Sequence, residues 1–429
     1  AMAAPLHDSA ERVLALMRRQ GFDAAQVAVS RRRRHEVCVA HNEPSLLRSN
    51  ESLRLQLTGL LDGRRADTEA SELDDDSLAA TVHALWTSVA SAPQDAANAV
   101  SASQHVRITR GTTEPDVGSL AGAMRELLAW REAEAPTLMI EEALAGHNHA
   151  QTTLLTSAGS SLACELGWYD ASAFGLARDG AQASSFNYAG GSCASLADAP
   201  LLPRFGLQEM LQSLVRSVQT QPLGEHGVGA VVLTPQAVAG LLGWLLGQLA
   251  DQALIDGSSV YREAVGQLAA SPLLTLRSRF DAPGVSPLSA DGFAPRPVVL
   301  LSAGRLNCLT PTLYGSRKTG VPHVPLAGGG GWELQAGATP RSELIAGLKR
   351  GALVDRLSMG RPAANGDFSG VIKNSFALRD GEVGAALSET MISGNVAAML
   401  REVSAVSAER IDAGAWAMPW LRVEGLHFS

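Results

Sequence analysis

The chain has 429 residues, 46% hydrophobic and 18% charged, with 42 glycines and a formal net charge of -8. That length suits two or three domains of about 100–200 residues, and the apolar share is ordinary for a soluble globular protein with a sizeable core. Nucleic-acid binding, which rests mainly on neutralising phosphates, has little support in the acidic balance, and the one basic run, Arg31 to Arg34, reads as a solvated strand end.

Four cysteines (Cys38, Cys164, Cys193, Cys308) are scattered without a CxxC spacing, which excludes a disulfide scaffold or zinc ribbon. The opening Ala1-Met2-Ala3-Ala4-Pro5 has no charged stretch followed by an apolar one, so no signal peptide is expected and the default location is cytoplasmic.

In chain order, Ser9 to Gln20 reads as an amphipathic helix closed by Gly21. Strands are expected at Val27 to Val29, Val37 to Ala40 and Leu53 to Leu60, with a hairpin turn at Asp62-Gly63. Asp74 to Ser77 places negative charge at a helix start, and that helix runs from Leu78 to Ser91. These elements make residues 1–92 an N-terminal α+β domain. Residues 93–222 are expected to hold a polar linker (93–117) and a central α+β domain. In it a helix runs from Leu120 to Glu134, a strand meander from Glu141 to Ala189 turns at Gly159, Gly167, Gly175 and Gly180, and a second helix spans Leu207 to Gln219. Pro222-Leu223-Gly224 marks the boundary of a larger β-rich unit, 223–429.

Residues 227–250 carry no charge and are long enough for a membrane helix. Val228 to Leu233 nevertheless reads as a short apolar strand, and Thr234-Pro235 as a helix start. Thr caps well there, and Pro lacks an N–H that would have gone unpaired in the first turn. A buried strand–helix unit is expected, with no membrane partner.

Candidate chemistry is sparse. In His35-Glu36-Val37-Cys38-Val39-Ala40-His41 the histidines are six apart, on opposite sides of a helix, unlike the four-apart pair of a zinc peptidase helix. A strand with flanking histidines is the expectation. His147-Asn148-His149 could set two imidazoles on one side of a strand, but with no third ligand nearby it reads as a polar loop or strand start. Gly328-Gly329-Gly330-Gly331 lacks the Lys-Ser/Thr of a phosphate loop and reads as a surface turn, and no G-x-S-x-G elbow occurs.

The last two hundred residues carry a series of linked motifs. They are Gly257-Ser258-Ser259, Ala270-Ser271-Pro272-Leu273-Leu274-Thr275-Leu276, Tyr314-Gly315-Ser316-Arg317-Lys318-Thr319-Gly320, Asp367-Phe368-Ser369-Gly370, Arg379-Asp380-Gly381-Glu382-Val383 and Glu389-Thr390-Met391-Ile392-Ser393-Gly394-Asn395. In this order they resemble the TldD/PmbA (modulator of DNA gyrase) family, with one departure: Val371 stands where the family has Gly. The Asp380-Gly381 and Ala303-Gly304 pairs are hairpin signals, since Gly takes positive φ without steric cost.

The resemblance implies an α+β fold: an N-terminal α/β region of helices on a mixed sheet, and a C-terminal barrel-like β-rich domain with a buried helix. In the TldD branch that helix carries H-E-x-x-x-H, and a Cys near the C-terminus completes a metal site. Here Gly243 and Gln248 hold the two His positions and Trp244 the Glu position, and no Cys follows Cys308. The chain is therefore similar to the PmbA/TldE branch, with no catalytic residue, metal or cofactor of its own. The resemblance implies a TldD-like metallopeptidase partner that holds the zinc and an unfolded peptide as substrate; apolar surface exposed without that partner is expected to make the lone chain prone to pair with itself as a homodimer. A stand-alone peptide-binding or scaffold protein that kept the fold and lost the enzyme is the alternative.

Overall fold

Long-range strand pairing builds two sheets in the computed structural model, which describes residues 4–224, 226–326, 330–388 and 390–429. Gly328, Gly329 and Glu389 of the sequence motifs, and the opening Ala1-Met2-Ala3, lie outside the described residues. The first sheet contains β1 (Ala24–Ala40), β2 (Glu43–Leu61), β3 (Arg64–Ala70), β4 (His105–Arg110), β5 (Leu138–Thr156) and β6 (Ser161–Asp179) in the order β3-β2-β1-β5-β6-β4. Two more strands, β7 (Gln182–Ala183) and β8 (Asn187–Cys193), also pair with β6. The β2–β3 turn has Asp62 at φ 50° and Gly63 at φ 69°, the left-handed pair that a tight two-residue hairpin requires.

Helices cover one face of this sheet. Val27 and Val29 of β1 and Leu55 and Leu57 of β2 bury alternate side chains against α1 (Ala4–Gln20) and α2 (Asp75–Val89). Further along, Ala143, Ala145, Tyr169 and Ala171 pack against α3 (Val117–Glu134) and α4 (Leu207–Arg216). Strands from both sides of residue 92 pair in this one sheet, because β1 bonds to β2 on one edge and to β5 on the other. The expected linker 93–117 contains β4, which pairs parallel with β6. Gly167 and Gly175 are not turns: both lie inside β6, where a Cβ would overlap the carbonyls of Thr112 and Met139. Close backbone approach explains those two glycines.

The second sheet joins β9 (Thr220–Gln221), β10 (Gly227–Leu233), β11 (Leu276–Ser278), β12 (Val299–Ser302), β13 (Arg305–Leu306), β14 (Trp332–Leu334), β15 (Arg350–Val354) and β16 (Arg356–Ser358) with β17 (Asp367–Lys373), β18 (Phe376–Arg379), β19 (Glu382–Leu387), β20 (Met391–Asn395), β21 (Val403–Asp412) and β22 (Trp416–Phe428). It branches at β22, which bonds to β10, β14, β20 and β21 and so curls the sheet on itself. Both expected hairpins form, with Ala303 at φ 44° and Gly304 at φ 80°, and Asp380 at φ 48° and Gly381 at φ 80°. The architecture is α+β, an N-terminal mixed sheet with helices and a larger, curled mixed sheet around a helix.

That helix, α5 (Pro235–Gln248), follows β10 directly. Thr234 caps it by accepting the Ala237 N–H, and Pro235 opens it. The segment Pro235–Ile255 is apolar and long enough for a membrane span by composition. It is not one helix, because Ala250 is extended (ψ 171°) and a separate α6 (Asp251–Ile255) follows. The 14 helical residues of α5 reach about 21 Å, short of the roughly 30 Å of a bilayer core. Val238, Leu241, Leu242 and Leu245 instead join the main apolar core beside Val231, Leu421 and Val423.

One charged cluster ties residues 93–98 to α7 (Leu313–Thr319). Asp95 accepts hydrogen bonds from Tyr314 (2.6 Å), the Ala97 backbone N–H (2.9 Å) and Lys318 (2.9 Å), and together these hold its carboxyl at about 2. A depressed carboxyl stabilises fully above its unfolded pKa of about 3.9 and loses that contribution as pH falls through the folded value. Asp95→Asn should therefore lower the melting temperature at neutral pH, and the gap to the parent protein should close between pH about 4 and about 2. A gap independent of pH in thermal melts would contradict this role.

Candidate functional site on the central helix

The three motif positions on α5 do not converge. At about 100° per residue, Trp244 and Gln248 share a face one turn apart, and Gly243 points well away from both. Gly243 is exposed, and a Cβ built on it meets nothing within 4 Å; the same holds for Gly240 and Gly247. Trp244 is half-buried. Its Nε1 donates to the Ala363 carbonyl (3.1 Å), and its ring sits edge-on to Tyr261 with centroids 5.9 Å apart. Gln248 is buried: its Oε1 accepts the Val260 N–H (2.9 Å), and its backbone carbonyl accepts the Ser259 hydroxyl (2.6 Å). The helix is thus packed at Trp244 and Gln248 and open at Gly243.

These side chains do not fit a metal ion. Glycine has no donor, an indole N–H has no lone pair to give, and the Gln248 oxygen already holds a backbone amide. A divalent site needs three or more nitrogen, sulfur or oxygen ligands converging at about 2.0–2.3 Å. Among the described residues no group of three or more His, Cys, Asp and Glu could hold one. Below the Trp244 ring the Tyr261 hydroxyl is buried with no partner among the described residues, and burial pushes its pKa up to about 12.

The other sequence candidates lie on the first sheet. Arg31 to Arg34 is not a solvated strand end; the run sits mid-strand in β1, and alternation sends Arg32, Arg34 and Glu36 to one face. There Arg34 forms a bidentate pair with Asp170 (2.7 and 2.9 Å) and also donates to Glu36 (2.6 Å) and Asn148 (2.9 Å). Arg32 shares the Asn148 oxygen and lies over the Trp168 ring. Burial alone would raise the Glu36 pKa, but the Arg34 and Arg48 guanidiniums outweigh it and hold the carboxyl below its usual range. This network was missed because its acid, Asp170, is far away in sequence; the Arg-x-Arg-x-Glu alternation was the available signal.

His147, Asn148 and His149 form neither a loop nor a strand start. They lie buried in the middle of β5, because β1 and β6 flank that strand on both edges. His147 Nε2 is 2.8 Å from the Thr112 carbonyl and His149 Nε2 is 2.8 Å from Glu165, so each imidazole has a structural partner. Burial, with His35 and His149 nearby, lowers the His147 pKa. His35 and His41 are not brought together: His35 lies in β1 opposite His147, and His41 sits in the turn beyond it at φ 51°.

Residues 226–429 match the PmbA/TldA metallopeptidase C-terminal domain, the half that contains α5. The C-terminal part of the chain is thus similar to a TldD/PmbA-family domain. Solved structures share its fold from end to end. TldE from Thermococcus kodakarensis aligns over 98% of this chain and 100% of its own, with 18% identity and a TM-score of 0.81. A candidate modulator of DNA gyrase from Bacteroides thetaiotaomicron aligns over 99% and 98%, with 20% identity and a TM-score of 0.84. Another from Thermotoga maritima aligns over 99% and 100%, with 16% identity and a TM-score of 0.78. No curated protein matches the chain in sequence.

Two variants separate the open from the packed part of α5. Gly243→Ala, placed in open space, should stabilise the protein by up to about 1 kcal/mol through helix propensity; destabilisation in denaturant titrations would mean that the Gly243 side is in contact. The triple change Gly243→His, Trp244→Glu and Gln248→His should instead cost a few kcal/mol, roughly 2–4, because it removes the Trp244 packing and the Val260 anchor. That variant should show no zinc-dependent peptide cleavage; measurable cleavage would show that these positions can be made to hold a metal.

Proposed function

We propose that this chain is the non-catalytic, TldE-like subunit of a two-subunit, cytoplasmic metallopeptidase of the TldD/TldE type, which processes or degrades unfolded peptides. One observation carries the reading: a metallopeptidase-family C-terminal domain whose central helix presents Gly243, Trp244 and Gln248, none able to bind a metal or act as a general base. The zinc, the base and the activated water come from a TldD-like partner carrying H-E-x-x-x-H, where a metal of this kind lowers the pKa of its bound water to about 7. This chain supplies part of the wall around the peptide and stabilises the partner. The end-to-end fold likeness to a protein named TldE supports the branch.

Co-expression with a TldD-like protein from the same source should give a complex that survives gel filtration and cleaves a disordered peptide. Substituting the partner's H-E-x-x-x-H should abolish cleavage without dissociating the pair. Failure of the two chains to associate would contradict the subunit assignment and favour a stand-alone peptide-binding or scaffold role.

A further inference from the structure

A cleft runs between α4 and the second sheet, away from the motif face of α5. It consists of two adjoining cavities of about 850 and 930 Å³ that share Phe205, Gln212, Arg216, Arg341 and Trp420 in their walls. The first is within the size range of small-ligand pockets, about 300–1,000 Å³. Its shape is set by an uncommon backbone: Phe205 (φ 58°) and Gly206 (φ 70°) are consecutive left-handed residues that turn the chain into α4. A left-handed aromatic residue persists only where its surroundings hold it. Here Phe205 is buried, and a Cβ on Gly206 would come within 2.7 Å of Ile411.

The charges in the first cavity are engaged, with two exceptions. Arg341 stacks on Trp420 (4.3 Å) and pairs with Glu209 (3.0 Å). Asp355 accepts from Thr234 (2.6 Å) and Asn187 (2.9 Å). The guanidinium carbon of Arg216 lies over the Phe376 ring, 4.6 Å from its centroid, and the group makes no hydrogen bond or ion pair with any described residue. A guanidinium seated over an aromatic ring with none of its N–H donors engaged keeps them available to take a carboxylate as a bidentate, charge-assisted pair. Tyr188 and Trp130 add aromatic wall. Glu134, the other lining charge without a partner among the described residues, is exposed and repels a second anionic group.

The geometry points to a binding site for an apolar carboxylate, a body of aromatic size bearing one carboxylate group, held by Arg216. The C-terminal residue of a peptide and a free aromatic acid share this chemistry. Only the peptide source rests on the function proposed above; the site itself does not.

The test uses the full chain and three probes followed by calorimetry: a short peptide ending in Phe with a free carboxylate, the same peptide amidated, and N-acetylphenylalanine. The free-acid probes should bind, and amidation should weaken the peptide about tenfold or more, the loss of a charge-assisted bidentate contact. Arg216→Gln should abolish the difference between acid and amide without moving the melting temperature, since Arg216 is exposed. Tighter binding of the peptide identifies a C-terminus as the ligand, and equal binding a free acid; either supports the site. No binding by any probe, equal binding of acid and amide, or an unchanged preference in Arg216→Gln would overturn it. These outcomes hold whether or not a TldD-like partner associates, so failure of the site and failure of the subunit assignment are separable.

Discussion

The pairing of β10 with the last strand of the chain, β22, is the constraint on which the C-terminal half depends. It runs from Gly227 opposite Phe428 to Leu233 opposite Leu421, with a register shift near Gly229. On its other edge β10 takes β15 in parallel, and the Thr234 N–H bonds to the Val354 carbonyl (3.0 Å). The chain therefore enters α5 from a strand fixed on both sides, and the rotation of the helix follows from its first turn. Leu241, Leu242 and Leu245 face the core, Gln248 reaches the 259–260 loop, and the Gly243 side faces out. The chemistry of the helix is decided by which residues that fixed rotation presents, and here it presents packing groups.

The first sheet is held by a different kind of interaction. Asn148 accepts from Arg32 and Arg34 and donates to Asp170 (2.8 Å), while Glu36 takes Arg34 on its own strand and Arg48 on the neighbouring one. The four strands β2, β1, β5 and β6 are thereby joined by side chains as well as by their ladders. A half-buried network of this kind is an asset only when every member is satisfied, because an unpaired buried charge costs far more than a lost contact. The network fixes the relative register of those strands, since a one-residue slip would send Arg34 and Glu36 to the helix-covered face.

Local structure was legible in the sequence wherever a single residue type answers a single backbone demand. Asp62-Gly63, Ala303-Gly304 and Asp380-Gly381 form the expected hairpins because both turn positions take positive φ. Asp74 and Thr234 start helices because their side chains accept the first free N–H groups. What was not legible depends on partners far away in sequence. His147, Asn148 and His149 look polar and loop-like until β1 and β6 flank them. Gly167 and Gly175 look like turns until the chain at Thr112 and Met139 presses on them. At the candidate site the absent donors could be read from Gly243, Trp244 and Gln248 alone. The openness at Gly243 and the anchoring of Gln248 by Val260 required the three-dimensional setting.

The central claim is that a chain whose residues 226–429 match a metallopeptidase C-terminal domain presents, at Gly243, Trp244 and Gln248, side chains that do not fit a metal ion. Quantifying zinc in the purified full-length chain, expressed in zinc-supplemented medium and freed of weakly bound ions, tests that claim most directly. The account predicts a sub-stoichiometric content unaffected by substitutions at Trp244 or Gln248. One zinc per chain that survives chelation, and is lost on Gln248→Ala, would contradict it.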